Sequence, residues 1–250
     1  MTFNGIDVSR WQGTINWAQV KASGITSAII KLGGSDDGVY TDKMWEYNYK
    51  NAREQGIKIG CYWFVGKQFF TTDDGIREAE NCIQRLGDKV LDYPIYCDIE
   101  APATGNKAGI TAAALTFCAI IHNTYGREVG VYGSDISGFK DRMDYNAFLE
   151  YPWISLWVAR YGSEPKWAKN WDIWQSSSSG SVPGINGRVD TDVFKLEKFG
   201  HGEDAPTTNV SVPAATTIPE ATDVIKSNMS RDLAQQIYNI IKPYLGNEKF

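Results

Sequence analysis

The chain has 250 residues, of which 42% are hydrophobic and 22% charged, proportions that argue against both a disordered and a membrane-spanning class. Its 25 basic and 30 acidic residues leave a net charge of −5, and without a basic cluster a nucleic-acid partner is disfavoured. Only two histidines occur, His122 and His201, which leaves little for a histidine metal site or a Ser-His-Asp triad. Plentiful carboxylates and 13% aromatic residues suit carbohydrate chemistry instead.

The sequence has no targeting or disulfide signature. No apolar run of 18 residues occurs, so we expect no membrane span. The opening segment MTFNGIDVSRWQG lacks a basic region followed by an apolar one, so we expect no secretory signal. The four cysteines form no C-x-x-C pair and lie in apolar segments, which predicts buried free thiols; they are Cys61, Cys82, Cys97 and Cys118.

Short apolar strands alternate with helical patterns along the first 200 residues. The predicted strands are 5–9, 27–33, 58–65, 93–99, 129–133, 153–160, 172–176 and 188–194. The predicted helices are 16–23, 42–55, 74–86 and 111–125. For the third helix, Asp73 or Asp74 is the expected N-cap and Gly87 the expected stop.

This alternation predicts an α/β fold in which a parallel sheet closes into an irregular TIM-like β/α barrel. The irregularity is expected in the last third, where helical patterns are weak. An open, doubly wound sheet is the alternative, but GIDVSRWQG after the first strand is not the Gly-rich phosphate loop expected there.

The composition changes after residue 199. Residues 1–199 are predicted to form the catalytic barrel, and 200–219, rich in Pro, Thr and Ala, a linker. Apolar residues then recur about every fourth position over 220–250, which predicts an amphipathic helical tail. This tail either packs on the barrel, anchors the protein to a cell wall, or mediates homo-oligomerisation.

Carboxylates are predicted to converge at one end of the barrel. Because side chains alternate across a strand, Asp98 and Glu100 share the inward face at the carboxyl end of the fourth strand. The same alternation points Asp7 inward from the first strand, and Asp190 and Asp192 inward from the last. Clustered acids raise the pKa of at least one member, as a general acid requires, and paired carboxylates are the machinery of glycoside hydrolysis.

Aromatic and polar residues near the same strand ends are predicted to contact a sugar, because aromatic rings stack on the apolar faces of sugars. The candidate substrate-binding residues are Trp11, Lys31, Tyr62, Phe64, Tyr132, Trp157, Gln175 and Asp192, with Tyr161 nearby. Lys31 is also expected to form an ion pair that moderates the repulsion among the acids.

Four segments carry a resemblance to a known family: GIDVSRWQGTINW, KIGCYWFVG, YPIYCDIE and WQSSSSGSVPGINGRVDTDVF. In order and spacing, over residues 3–196, they resemble the glycoside hydrolase family 25 lysozymes, or Chalaropsis-type muramidases, most closely the branch of Firmicutes and their phages. The resemblance implies an irregular β/α barrel that hydrolyses the β-1,4 bond between N-acetylmuramic acid and N-acetylglucosamine in peptidoglycan.

Roles carry over by motif. The resemblance implies that Glu100 is the general acid/base and that Asp98 assists the substrate's N-acetyl group in a retaining reaction. Asp7 and Asp190 then line the site and tune Glu100, and Asp192 is secondary because the family often has Asn there. No metal or cofactor is implied.

The chain departs from many members at the second strand, where it reads KLGGS over 31–35 instead of K-x-x-E-G, so any role of that Glu is absent. Direct attack by the Asp and substrate assistance both stay open. The rivals are a chitinase-like N-acetylglucosaminidase and a non-catalytic glycan-binding barrel. The expected setting is that of an endolysin or autolysin, made in the cytoplasm and acting on the cell wall after release.

Overall fold

The computed structural model describes residues 3–199 and four isolated residues of the tail, Gln235, Tyr238, Asn239 and Lys242. Its strands are β1 Gly5–Val8, β2 Ser27–Gly34, β3 Tyr40–Thr41, β4 Lys58–Phe64, β5 Ile95–Asp98, β6 Val129–Ser134, β7 Ile154–Ala159, β8 Ile173–Gly180 and β9 Val189–Phe194. Its α-helices are α1 Trp17–Ala22, α2 Trp45–Glu54, α3 Thr72–Leu86, α4 Lys107–Tyr125 and α5 Tyr145–Leu149.

Eight of these strands close into a barrel. The sheet order is β1-β9-β8-β7-β6-β5-β4-β2, and β1 pairs with β2 to complete the ring, while β3 lies at the edge of β2. The predicted irregular TIM-like barrel is therefore confirmed. The strands from β1 and β2 through β4 to β8 pair in parallel.

The last strand corrects the expectation of a wholly parallel sheet. β9 runs antiparallel to both β8 and β1. The short connection over 181–188 contains no helix, and antiparallel neighbours can be joined by such a link, whereas parallel ones need a long crossover. The weak helices of the last third are confirmed, because only the short α5 and one 3₁₀ turn, Leu196–Phe199, occur among residues 126–199.

The helix ends follow local capping chemistry. α3 begins two residues earlier than predicted: Thr71 is the N-cap, and Asp74 closes a capping box by accepting from the Thr71 backbone N–H at 2.9 Å. Asp73 and Asp74 are therefore inside the first turn, where their charge favours the helix dipole. Gly87 ends α3 with φ of 60°, as predicted.

Two apolar clusters lie on opposite faces of the barrel wall. The larger packs between strands and helices and contains Ile95, Cys97 and Ile99 of the fourth barrel strand. The smaller fills the interior with Ile29, Tyr62, Tyr93, Tyr96, Tyr132, Trp157, Ala159, Ile173 and Phe194. This division confirms the predicted alternation of inward and outward side chains. All four cysteines are free and buried, as predicted.

The interior is packed closely enough that some positions require glycine. A Cβ on Gly5 would lie 2.1 Å from the Phe194 ring, and one on Gly130 would lie 2.1 Å from the Tyr96 ring. Both aromatic rings therefore lie directly against the backbone of a neighbouring strand. The Phe194 and Tyr96 rings fill the barrel interior below the polar groups at the carboxyl ends of the parallel strands.

The predicted linker 200–219 lies outside the described residues, as does the tail over 220–250 apart from the four isolated positions. In the part of the chain that is described, no helix combines the length and apolar character needed to cross a membrane.

Candidate active site

The carboxyl end of β5 presents the first two acids. Asp98 is the last residue of the strand and pairs in register with Phe64 of β4 and Tyr132 of β6. Its side chain points into the barrel and is buried. Glu100 follows two residues beyond the strand end and is exposed. The predicted pair therefore stands at the end where barrel enzymes assemble their sites.

Asp98 has an unsatisfied side-chain oxygen. Its Oδ1 is buried and accepts no hydrogen bond from the described residues, although a buried carboxylate is normally paired. Burial and the neighbouring Glu100 raise the pKa of Asp98 well above its ordinary value, and the Lys31 ammonium opposes this. This oxygen is therefore an unpaired acceptor just beneath the surface of the site.

The surroundings of Glu100 also favour its neutral, protonated form. Desolvation by the surrounding protein raises its pKa, and Asp190 adds to this, whereas the positive charges of Arg142 and Lys31 lower it. Because Asp98 and Glu100 interact strongly, they titrate as a pair. A raised pKa is what a general acid requires, because it keeps the proton on the acid to higher pH.

β1 and β9 bring the other two predicted acids together. Asp7 lies directly opposite Asp190 in the antiparallel register. Burial and the charges of Asp192 and Asp190 raise the pKa of Asp7 well above its ordinary value. Desolvation raises the pKa of Asp190 as well, and contact with Asp7 opposes this.

A hydrogen-bonded chain orients Asp7. Gln175 Nε2 donates to Asp7 Oδ2 at 2.7 Å. The hydroxyls of Tyr132 and Tyr161 donate to Gln175 Oε1 at 2.9 and 3.2 Å. Because the amide oxygen of Gln175 accepts from two hydroxyls, its amide nitrogen is directed toward the Asp7 carboxylate. Gln175 and Tyr132 therefore hold Asp7 in its orientation.

Two residues predicted to contact substrate lie too deep to do so. Trp157 is 1% exposed and Asp192 is 0% exposed, and Trp157 Nε1 donates to Asp192 Oδ1 at 2.9 Å. Burial raises the pKa of Asp192 to about 8, and its Oδ2 accepts no hydrogen bond from the described residues. Trp157 thus offers no open face to a sugar, and the pair lies beneath the site.

Lys31 is inward, as predicted, but the expected ion pair is wrong. Within the described residues no carboxylate oxygen lies within 4 Å of its ammonium. Nζ instead lies 4.4 Å from the ring centroid of Phe64 and 5.6 Å from those of Tyr62 and Tyr40. Burial lowers the pKa of Lys31, and the charge of Asp98 opposes this most strongly. Aromatic rings, and not a carboxylate, therefore surround the Lys31 ammonium. Its positive charge acts on Asp98 at a distance, without an ion pair.

The remaining predicted residues lie at different depths. Tyr62 is buried beside Trp157, with ring centroids 6.0 Å apart, and Phe64 is half-buried. Trp11 is 78% exposed in the 3₁₀ turn that follows β1, so its ring is open to a ligand.

Arg142 was missed by sequence reasoning, because it lies in an irregular connection with no periodic pattern.

The fold and site indicate the class of the protein, because a β/α barrel with paired acids at the carboxyl ends of its strands is an arrangement that glycoside hydrolases use. The family model described as "Glycosyl hydrolases family 25" matches residues 6–185. The chain belongs to that family.

Known proteins similar to this chain agree with the assignment. Lysozyme M1 of Streptomyces globisporus is 29% identical over 201 residues, covering 76% of this chain and 67% of the relative. The bacterial lysozyme of Streptomyces coelicolor has a TM-score of 0.63 at 28% identity, over 76% of this chain and 91% of that one. The modular autolysin LytC of Streptococcus pneumoniae, solved with a synthetic peptidoglycan ligand, has a TM-score of 0.58 at 26% identity, over 75% of this chain and 45% of that one.

Proposed function

We propose that the chain is an N-acetylmuramidase that cleaves the β-1,4 bond between N-acetylmuramic acid and N-acetylglucosamine in bacterial peptidoglycan, with retention of configuration. The observation that carries the proposal is the pair at the end of β5, in which Asp98 is buried with an unpaired acceptor oxygen and Glu100 is exposed with a raised pKa. The lysozyme relatives and the peptidoglycan ligand of the pneumococcal relative support the substrate class.

In the proposed reaction, Glu100 donates its proton to the glycosidic oxygen as the bond to the sugar's C1 breaks. The acetamido oxygen of the same sugar attacks C1, and the Asp98 carboxylate accepts a hydrogen bond from the acetamido N–H, which becomes more acidic during this attack. Glu100, now ionised, then removes a proton from a water molecule, and this water attacks C1 from the face that the leaving group vacated and breaks the bond between C1 and the acetamido oxygen. Two inversions at C1 give net retention, in the substrate-assisted variant of glycoside hydrolysis.

The acids of β1 and β9 have a supporting role in this scheme. Asp190 and Asp7 face each other across the antiparallel pair, and the charge of Asp190 raises the pKa of Glu100. Asp190 therefore favours the protonated form of Glu100, which a general acid needs. Asp190 is half-buried, and its accessible edge accepts hydrogen bonds from sugar hydroxyls.

The test is product analysis with purified peptidoglycan. Mass spectrometry of released muropeptides should show N-acetylmuramic acid at the new reducing ends, and proton NMR should show the β anomer formed first. Glu100→Gln should lower turnover by a factor of at least about 10³, since general acid catalysis alone contributes 10² to 10⁴. It should not lower the unfolding midpoint, because Glu100 has a raised pKa and does not stabilise the fold by its charge.

Glu128→Gln is the matched control. Glu128 is a half-buried glutamate that pairs with Lys198 at 3.5 Å and precedes β6, at the opposite end of the barrel from the site, so the variant should retain full turnover. Reducing ends of N-acetylglucosamine, or activity on chitin alone, would assign a chitinase-like N-acetylglucosaminidase. Glycan binding without turnover by the unaltered chain would assign a binding barrel.

A further inference from the structure

The segment that carries Glu100 is not held by the barrel sheet. β5 ends at Asp98, and the last backbone bond from this segment to β6 is Ile99 N–H to the Tyr132 carbonyl, at 3.2 Å. Glu100 therefore lies just beyond the strand ladder, on a turn whose position has to come from other contacts.

Arg142 supplies those contacts. Its Nε donates to the Pro102 carbonyl at 2.7 Å, and its Nη1 donates to the Ile99 carbonyl at 3.3 Å. The two carbonyls flank Glu100 on either side along the chain. A guanidinium has a planar fork of donors, so this one side chain fixes both ends of the turn.

The connection that carries Arg142 is itself anchored. Phe139 and Met143 are fully buried in the outer cluster, and the Arg142 backbone N–H donates to the Gly138 carbonyl at 3.0 Å. Arg142 is half-buried between these anchors. The guanidinium is therefore held on rigid supports and not on a free loop.

Arg142 also acts on the two acids at a distance. None of the ion pairs among the described residues joins Arg142 to Asp98 or Glu100, so the guanidinium does not neutralise either by contact. Its positive charge nevertheless lowers the pKa of Glu100 and of Asp98 against the effect of burial.

We propose that Arg142 is a positioning residue of the active site, which holds the Glu100 turn through the Ile99 and Pro102 carbonyls and supplies a positive charge near the acid pair. This inference rests on the proposed role of Glu100 as general acid. It assigns to Arg142 both a geometric and an electrostatic effect, which two substitutions separate.

Arg142→Lys keeps the charge and loses the fork, whereas Arg142→Met loses both. Both variants should lower kcat on peptidoglycan about tenfold to a hundredfold, which corresponds to losing hydrogen bonds from a charged donor, with KM changed less than about twofold. In Arg142→Met the pKa of Glu100 rises, so the high-pH limb of the kcat profile should move up by about half a pH unit to one unit. In Arg142→Lys the limb should stay in place.

Lys140→Met is the matched control, because Lys140 is an exposed cation of the same connection whose ammonium lies 5.4 Å from the Trp167 ring centroid. It should leave kcat and the pH profile unchanged, and unfolding midpoints report whether each variant is folded. Full kcat in Arg142→Lys, or an unmoved limb in Arg142→Met, would overturn the inference while wild-type turnover on peptidoglycan still stands. If Arg142→Met does not fold, the kcat of Arg142→Lys decides the geometric effect.

Discussion

The buried acid Asp192 offers a direct test of the electrostatics beneath the site. Burial raises its pKa to about 8, the charge of Asp190 adds to this, and the hydrogen bond from Trp157 opposes it. Asp192→Asn has nearly the same shape, never ionises, and keeps an oxygen to accept from the Trp157 Nε1. We expect the variant to be more stable than the wild type at neutral pH.

The direction follows from where the proton is held. An unfolded aspartate ionises near pH 3.9, whereas folded Asp192 ionises near 8. Between those values the folded chain binds a proton that the unfolded chain has released, so wild-type stability falls as the pH rises. The full effect of one such group is about 1.4 kcal/mol per pH unit.

Because neighbouring Asp7 and Asp190 compete with Asp192 for protons, we expect less than this limit, about 1 kcal/mol per pH unit. From pH 4 to pH 7 the advantage of Asp192→Asn should therefore grow to about 3 kcal/mol. Urea unfolding of both proteins at pH 5, 6 and 7 measures the difference directly. Parallel stability curves for the two proteins would mean that Asp192 is already ionised in the fold, and would refute the reasoning.

Asp135→Asn is a control of opposite sign. Asp135 is also buried, but although burial alone raises its pKa, hydrogen bonds lower it overall, above all those from the backbone N–H groups of Ala168 and Lys166. A lowered pKa stabilises the fold above the unfolded value near 3.9 and ceases to do so as the pH falls below it. Asp135→Asn should therefore lose stability at pH 6 and lose less at pH 3.

Two further predictions follow from single contacts. Gln175→Leu removes the hydrogen-bond donor that lies 2.7 Å from Asp7. Because a hydrogen bond to a charged group contributes about 1.5–3 kcal/mol, kcat on peptidoglycan should fall about tenfold to a hundredfold. An unchanged kcat would mean that catalysis does not depend on the orientation of Asp7. Gly5→Ala places a methyl group 2.1 Å from the Phe194 ring and should cost about 1–3 kcal/mol of unfolding free energy in urea titrations, with no loss meaning that the ring moves freely.

Strand alternation explains why much of the candidate site could be predicted. A side-chain period of two is a property of the backbone, so the inward direction of Asp7, Asp98 and Asp190 needed only the strand positions. Depth along the barrel is different, because it depends on how neighbouring strands are staggered. Asp192 points inward as predicted, yet both it and Trp157 are fully buried and offer no open face to a substrate.

Contacts made by long side chains were not accessible to the same reasoning. Lys31 has the predicted direction, but the choice between a carboxylate and the face of Phe64 depends on three-dimensional reach. Arg142 contacts carbonyls about 40 positions away along the chain, and no local pattern encodes that distance. The antiparallel course of β9 did have a signal, since 181–188 has too few residues for a helical crossover.

The two faces of the barrel wall have opposite effects on the stability of the fold. The outer cluster stabilises the fold by burying apolar surface, whereas the inner acids destabilise it, because burial and mutual repulsion hold them away from their preferred ionised state. Single donors from Gln175 and Trp157 satisfy only one oxygen each of Asp7 and Asp192. If this destabilisation serves catalysis, Asp192→Asn should gain stability and lose turnover together, because it removes a titratable carboxyl group that helps to raise the pKa of Asp7.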